Sequence, residues 1–299
     1  MDDKECIAFL QWALPQLNLR WSGFRKVHGQ VCKRLKRRMN DLGVADFAAY
    51  RIRLEADPAE WHVLDECCHV TISRFFREKR VFEVLRSRVL PHIAARSHGE
   101  GRAARMWSAG CASGEEPYTL KILWDLEVAR PYPAGVPLSV IATDTDRAML
   151  ARADKACFTA GSLRELPTPL LNEAFDREGS LYCLKRQYRA GIKFLQQDLR
   201  LGAPPGPFDL ILCRYVAFTY FSLPLQEVVL LRIRDRLFPE GYLVIGGDER
   251  LPRDDAGLIP LAGAPQIFAR QSSMAAHQDS WLSGVACIGE AGVIHDHLL

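Results

Sequence analysis

Residues Met106–Thr119, Met-Trp-Ser-Ala-Gly-Cys-Ala-Ser-Gly-Glu-Glu-Pro-Tyr-Thr, constrain the fold more than any other stretch of this chain. They read as a short apolar strand, a turn bracketed by Gly110 and Gly114, and the start of a helix. α/β proteins bind ligands at such turns, where glycine lets the backbone pass close to a bound group. Glu115 and Glu116 open the helix where a phosphate cradle would carry Lys followed by Ser or Thr, and no third glycine completes a dinucleotide fingerprint. Carboxylates at this position suit a ligand with hydroxyls and positive charge, such as a ribose joined to an ammonium and a sulfonium. S-adenosylmethionine has that description. Taken alone, the stretch also reads as a helix N-terminus with two glutamates facing the helix dipole.

Beyond this turn the chain alternates helix and strand. A helix is expected over Pro117–Val128, then a strand over Pro137–Asp144 that ends in an acid, where a doubly wound sheet binds ribose hydroxyls. Asp146 reads as the cap of a helix over Arg147–Lys155. Ile192–Leu199 carries a second strand-closing acid, Asp198, and the apolar run Pro207–Arg214 predicts a buried parallel strand. A helix over Leu225–Phe238 and strands over Gly241–Gly246 and Gln266–Arg270 follow. Between them, 175–193 suggests short strands or a lid. Upstream, apolar positions at helical spacing predict helices over Lys4–Leu14, Phe24–Leu42, Phe47–Leu54, with Asp46 as its cap, and Ala59–His69, opened by Asp57-Pro58. A further helix is expected over Arg80–Leu90, stopping at Pro91, and Ser97–Arg102 resembles a linker. The predicted organisation is a helical domain over 1–92, a linker over 93–102, an α/β domain over 103–270 and a weakly ordered tail over 271–299, in which Trp281–Ile288 is a candidate docked element.

The 299 residues, 48% hydrophobic and 25% charged, have the composition of a soluble protein. No uncharged apolar run approaches the ~18 residues of a membrane span, and the N-terminus lacks signal-peptide order. A cytoplasmic monomer, not inserted in a membrane, is expected. The nine cysteines are scattered without a Cys-x-x-Cys pair and are expected to be reduced. Cys67-Cys68-His69 lacks a second ligand pair, so no metal is expected. A net charge of +3 implies no nucleic-acid partner. It is unevenly placed, however: Arg25, Lys26, Lys33, Arg34, Lys36, Arg37 and Arg38 would give one helix a basic face, which is most often a solvated face.

Taken together, Trp107–Tyr118, Ala142-Thr-Asp-Thr-Asp146, Ser73-Arg-Phe-Phe-Arg77 and Phe208–Arg214 resemble the chemotaxis receptor methyltransferases of the CheR family, which esterify receptor glutamates. The likeness covers roughly residues 25 to 270. It implies a small all-helical N-terminal domain followed by a class I, Rossmann-like, S-adenosylmethionine-dependent methyltransferase domain of α/β class. By resemblance, cofactor contacts fall on Thr71, Ser73, Arg77, Glu116, Asp144, Asp198, Leu199, Arg214 and Tyr215, with Gly110 and Gly114 forming the turn. S-adenosylhomocysteine would be the product. Arg77 would fork onto the acceptor carboxylate or the cofactor's own carboxylate, Tyr220 would line the same pocket, and the basic helix would face an acidic receptor helix.

The chain also departs from the family pattern. Tyr215-Val216 stands where Asn-Val is usual, Val216–Phe221 is one residue longer, and the segment between Phe175 and Phe194 is shorter than in enzymes that dock receptor tails there. A methyltransferase of the same fold acting on a small molecule or a non-chemotaxis protein stays open as the alternative. So does a non-catalytic cofactor sensor or scaffold. Methyl transfer from a sulfonium to a carboxylate has no obligatory proton to remove, in keeping with a sequence that presents no Ser-His-Asp or paired-carboxylate constellation.

Overall fold

The computed structural model describes residues 3–254 and 256–271, so the expected tail beyond Gln271, with Trp281–Ile288, lies outside the described residues. The first part of the chain folds into α1 (Asp3–Ala13), α2 (Trp21–Phe24), α3 (His28–Asp41), α4 (Phe47–Ala56) and α5 (Pro58–Cys68). Asp46 accepts from Ala49 N at 2.8 Å and Asp57 from Ala59 N at 3.0 Å, the caps expected for α4 and α5.

The single helix expected over Phe24–Leu42 is instead two. The interruption lets α2 turn onto residues 217–222, where Leu19 bridges Phe221 and Arg20 N donates to Tyr220 O at 2.8 Å. Gly23 comes so close that a Cβ would lie 2.2 Å from Thr219 O. Gly23→Ala is therefore expected to cost about 1–3 kcal/mol in chemical denaturation, the range for forcing atoms into a packed contact. Transfer activity should fall further than folded protein does, because the disturbed loop lines the site.

The basic residues of α3 divide. Arg38 is bound to buried Glu60 at 2.6 Å, and Tyr50 OH donates to the same carboxylate at 2.7 Å. Arg34 donates to the carbonyls of Cys67 and His69. These two turn inward to hold α3 on α5, whereas Lys33 and Arg37 are exposed and Lys36 is half-buried; Arg25 and Lys26, expected on the same helix, are exposed in the turn before it.

Along the rest of the chain the strands are β1 (Ala104–Ala109), β2 (Leu138–Asp144), β3 (Cys157–Thr159), β4 (Phe175–Glu178), β5 (Leu181–Leu184), β6 (Ile192–Gln196), β7 (Phe208–Cys213), β8 (Leu237–Val244), β9 (Leu258–Leu261) and β10 (Ala264–Arg270). Seven of them form one sheet in the order β6-β2-β1-β7-β8-β10-β9. All neighbours are parallel except β10, which is antiparallel to β8 and β9. The order reverses between β1 and β7, and ligands of doubly wound sheets bind outside the strand ends at that reversal. β7 is buried at every position, as a strand covered on both faces must be.

The helix expected to stop at Pro91 does not. α6 (Lys79–Val84) passes through a wide turn over Leu85–Val89, in which Leu90 N reaches back to Leu85 O, into α7 (Leu90–Gly99). That wider turn accommodates the missing N–H of Pro91. The linker-like stretch is consequently helical to Gly99. Arg102 then grips buried Asp209 with two 2.8 Å bonds. Phe82, Val89, Leu90 and Ile93 pack with Met106, Leu210 and Val244 on one sheet face.

Around the sheet lie α8 (Glu115–Leu123), α9 (Arg147–Lys155), α10 (Ala160–Leu163), α11 (Thr168–Ala174), α12 (Ala217–Tyr220) and α13 (Leu223–Asp235). Leu10, Leu35, Met39 and Leu64 of the helical module share one core with Trp107, Ile211 and Leu243 of the other sheet face and Leu230 of α13.

The segment read as short strands or a lid builds a separate antiparallel sheet, β3-β5-β4, in which Cys157 and Cys183 are register partners. They form a disulfide, as do Cys6 of α1 and Cys32 of α3. The expectation of reduced cysteines is thus corrected for these four, because strand register and helix packing bring together residues that sequence spacing leaves apart. Cys67, Cys68, Cys111 and Cys213 are free thiols. No helix among the described residues is long and apolar enough to cross a membrane.

Candidate active site

At the C-terminal ends of β1, β2, β6 and β7 lies a cavity of about 1010 Å³. Its wall includes Thr71, Ser73, Arg77, Gly110, Glu116, Asp144, Asp198, Leu199, Arg214, Tyr215 and Tyr220, every site residue expected from sequence except Gly114. Gly114, with φ +91, caps α8, and a Cβ there would meet Tyr118 and Ala153 at 3.0 Å. Close packing in the core, rather than approach to a ligand, demands glycine at that position. Gly110, with φ +77, does face the cavity, and its missing side chain makes room for Val216.

The acidic pair also separates. Glu115 is buried and accepts from Ser113 Oγ at 3.0 Å, whereas Glu116 lines the cavity, accepting from Ser108 Oγ at 2.7 Å and Arg214 Nη1 at 2.9 Å. Asp144 closes β2 and takes Ala112 N at 2.8 Å and Asp146 N at 2.9 Å. Burial pushes its carboxyl up despite those two bonds. A carboxylate with spare acceptor sites in a dry wall is suited to the paired hydroxyls of a ribose. Arg214 is buried, its two terminal nitrogens are spent on Glu116, Glu78 and Arg77 O, and its Nε has no partner.

Asp198 is less free than its sequence position suggests. Arg200 holds it through the backbone N at 2.8 Å and through the guanidinium, which also reaches Asp65 of α5 at 2.9 Å. Arg200 thereby clamps the helical module to the strand ends. Burial alone would raise the Asp65 carboxyl, but His69 at 3.7 Å and the hydrogen bonds from Arg200 outweigh it and hold the group at about 2. A depressed folded-state value means that the stabilisation is complete above the ordinary value of 3.8 and is lost as pH falls toward 2. Asp65→Asn is expected to remove that acid dependence and to lower stability at pH 7 by about 2 kcal/mol, checked by denaturation across pH 2–7.

The other half of the cavity is built around Arg77. Phe75 and Phe76 are buried on its N-terminal side, and Phe76 and Glu78 both adopt left-handed backbone, with φ of 55 and 64. Such conformations persist where surrounding contacts fix them. Among the described residues the Arg77 guanidinium gives one hydrogen bond, to Ile72 O, leaving four N–H donors uncommitted. Arg74, by contrast, is paired with Glu165 at 2.8 Å. Tyr220 packs its ring 4.9 Å from Phe24. Arg20 donates to Thr219 O at 3.1 Å and to Phe218 O, so the N-terminal module supports the same wall.

Several wall residues gave no local signal. Glu249 accepts from Tyr215 N at 3.0 Å, Gly246 N at 2.7 Å and Thr219 Oγ1 at 2.5 Å. Its partners lie up to 34 residues away in sequence, beyond the reach of any spacing rule.

Residues 71–265 match the family described as CheR methyltransferase, SAM binding domain. The chain belongs to the CheR methyltransferase family. The chain is 33% identical over 193 residues to the chemotaxis protein methyltransferase of Listeria innocua, covering 64% of this chain and 70% of that one. To the Salmonella typhimurium enzyme of the same description it is 34% identical over 228 residues, covering 73% and 75%. A 104.1 kDa protein of Rhodobacter capsulatus is 32% identical over 225 residues, which span 75% of this chain but only 23% of that protein. Among solved structures, the N-methyltransferase NodS of Bradyrhizobium japonicum overlaps with a TM-score of 0.32 and 17% identity, over 57% of this chain and 62% of that one.

This CheR-family chain is an S-adenosylmethionine-dependent methyltransferase, as its motifs implied. The wall fits that cofactor: Asp144 has acceptor capacity that would suit ribose hydroxyls, Glu116 lines the same cavity, and Arg214 Nε is a buried donor without a partner.

Proposed function

We propose that the enzyme esterifies glutamate carboxylates on an acidic, chemoreceptor-like protein segment. One observation carries this reading: Arg77 has uncommitted donors while the acids around it are already engaged. Glu78, Glu116 and Glu249 each accept two or more hydrogen bonds from protein groups. Burial pushes the Tyr215 phenol up to about 12 and raises that of Tyr220. Burial also raises the Glu249 carboxyl, but a carboxylate acceptor has no proton to give, so the transfer demands no base of these groups.

Bound S-adenosylmethionine supplies a methyl group activated by its sulfonium. Arg77 would fork onto the acceptor carboxylate and hold it in line, with orientation worth up to about 7–11 kcal/mol in favourable cases. Tyr220, on the cavity wall, would keep water from the carboxylate. Arg25 and Lys26 on the cavity wall, with exposed Lys33 and Arg37, provide positive charge to draw in an acidic segment. The reaction would take place in the cytoplasm, where the methyl donor is made.

The test is incubation with methyl-labelled cofactor and purified receptor cytoplasmic domains, followed by alkali. Label released as methanol supports the reading, and label that resists alkali, or no label, removes it. A second reading, a small-molecule or non-receptor acceptor, draws on Tyr215 and on a cavity at the upper end of the usual range for ligand pockets. It expects label in the low-molecular-weight fraction or on unrelated proteins.

A further inference from the structure

We propose that Tyr215 is a positioning residue of the acceptor site, holding Arg77 by the face of its guanidinium so that the N–H edge stays free for a carboxylate. This rests on the reading of Arg77 given above. The Arg77 guanidinium carbon lies 4.0 Å from the centroid of the Tyr215 ring, within cation–π reach.

An arginine next to a glutamate would ordinarily spend its donors on that neighbour. Here Glu78 is engaged elsewhere: Oε2 accepts from Arg214 Nη2 at 2.7 Å, and Oε1 accepts from Gly247 N at 2.9 Å and from the Tyr215 hydroxyl. Stacking therefore fixes Arg77 without consuming the donors a substrate needs.

The ring is itself held. Tyr215 has left-handed backbone, φ 58, fastened by its N–H to Glu249 at 3.0 Å. Gly246 packs so tightly that a Cβ would fall 2.7 Å from Tyr215 Cζ. A left-handed tyrosine is costly and is retained where its surroundings over-determine it. One hydrogen-bonded series thus runs from Ser108 and Glu116 through Arg214 and Glu78 to Tyr215, and by stacking to Arg77, joining the cofactor half of the cavity to the acceptor half.

The test is steady-state transfer to receptor cytoplasmic domains, with calorimetric binding of S-adenosylhomocysteine, for Tyr215→Asn, Tyr215→Phe, Arg77→Ala and the Arg77→Ala/Tyr215→Asn double variant. Asn tolerates left-handed backbone better than other side chains, which favours folding of the first variant. Tyr215→Asn is expected to lower kcat by about 20-fold or more with the Kd for S-adenosylhomocysteine within about threefold, while Tyr215→Phe, which keeps the ring, stays within about fivefold of the parent. Measured on residual activity, Tyr215→Asn should add less than about twofold to Arg77→Ala, because it acts through that residue.

Multiplying effects, a loss confined to cofactor Kd, or an unchanged kcat for Tyr215→Asn would overturn the proposal. If Tyr215→Asn does not fold, Gly246→Ala, which must displace the ring, should lower kcat in the same way, and parental kcat there would overturn the proposal too. Parental transfer by Arg77→Ala would instead remove the underlying reading of Arg77, an outcome seen in the single variant alone.

Discussion

Replacing Arg77 by alanine is expected to lower kcat/KM by about 10²–10⁴-fold while leaving the fold and the affinity for S-adenosylhomocysteine nearly unchanged. The magnitude follows from two charge-assisted hydrogen bonds to a carboxylate at about 1.5–3 kcal/mol each, formed in a wall from which water is partly excluded. Stability should survive because, among the described residues, the guanidinium contributes one hydrogen bond, to Ile72 O, and one stacking contact. Arg77→Lys keeps the charge but loses the fork and should recover only part of the rate. Paired measurements of single-turnover rate and calorimetric Kd check this. A parallel loss in both would mean that Arg77 serves the cofactor.

The second large effect is expected at Asp144. Asp144→Ala should weaken binding of S-adenosylmethionine by about 100-fold or more, the cost of two lost charge-assisted bonds from ribose hydroxyls. The same substitution frees Ala112 N and Asp146 N, which the carboxylate now holds, so the turn between β1 and α8 should loosen as well. Hydrogen exchange confined to residues 110–116 would register that loosening. Since burial raises the Asp144 carboxyl, its charged form is lost at a higher pH than for an exposed aspartate. Affinity should fall as pH drops through that value, and Asp144→Asn should flatten the dependence.

The part of the cavity wall formed by Gly110, Glu116 and Asp144 was legible in the sequence because its determinants are local. Gly110, Glu116 and Asp144 sit at fixed offsets from short apolar runs that read as strands, and the caps at Asp46, Asp57 and Asp146 lie within three residues of what they hold. What sequence did not reveal depends on partners far along the chain. The break between Phe24 and His28 is imposed by residues 217–222. Pro91 stands inside a helix because the turn before it widens. The clamp of Arg200 on Asp65 spans 135 residues, and the contact of Tyr215 with Glu78 spans 137. Gly114 shows the converse: a glycine at the expected turn serves packing against Tyr118 and Ala153.

Methyl transfer to a protein glutamate is tested by peptide mapping of receptor cytoplasmic domains and cell-extract proteins after incubation with methyl-labelled cofactor and purified enzyme. The label is expected on glutamate side chains of acidic helical peptides, released as methanol by alkali and absent with Arg77→Ala. Label on nitrogen, or only in small molecules, would contradict it.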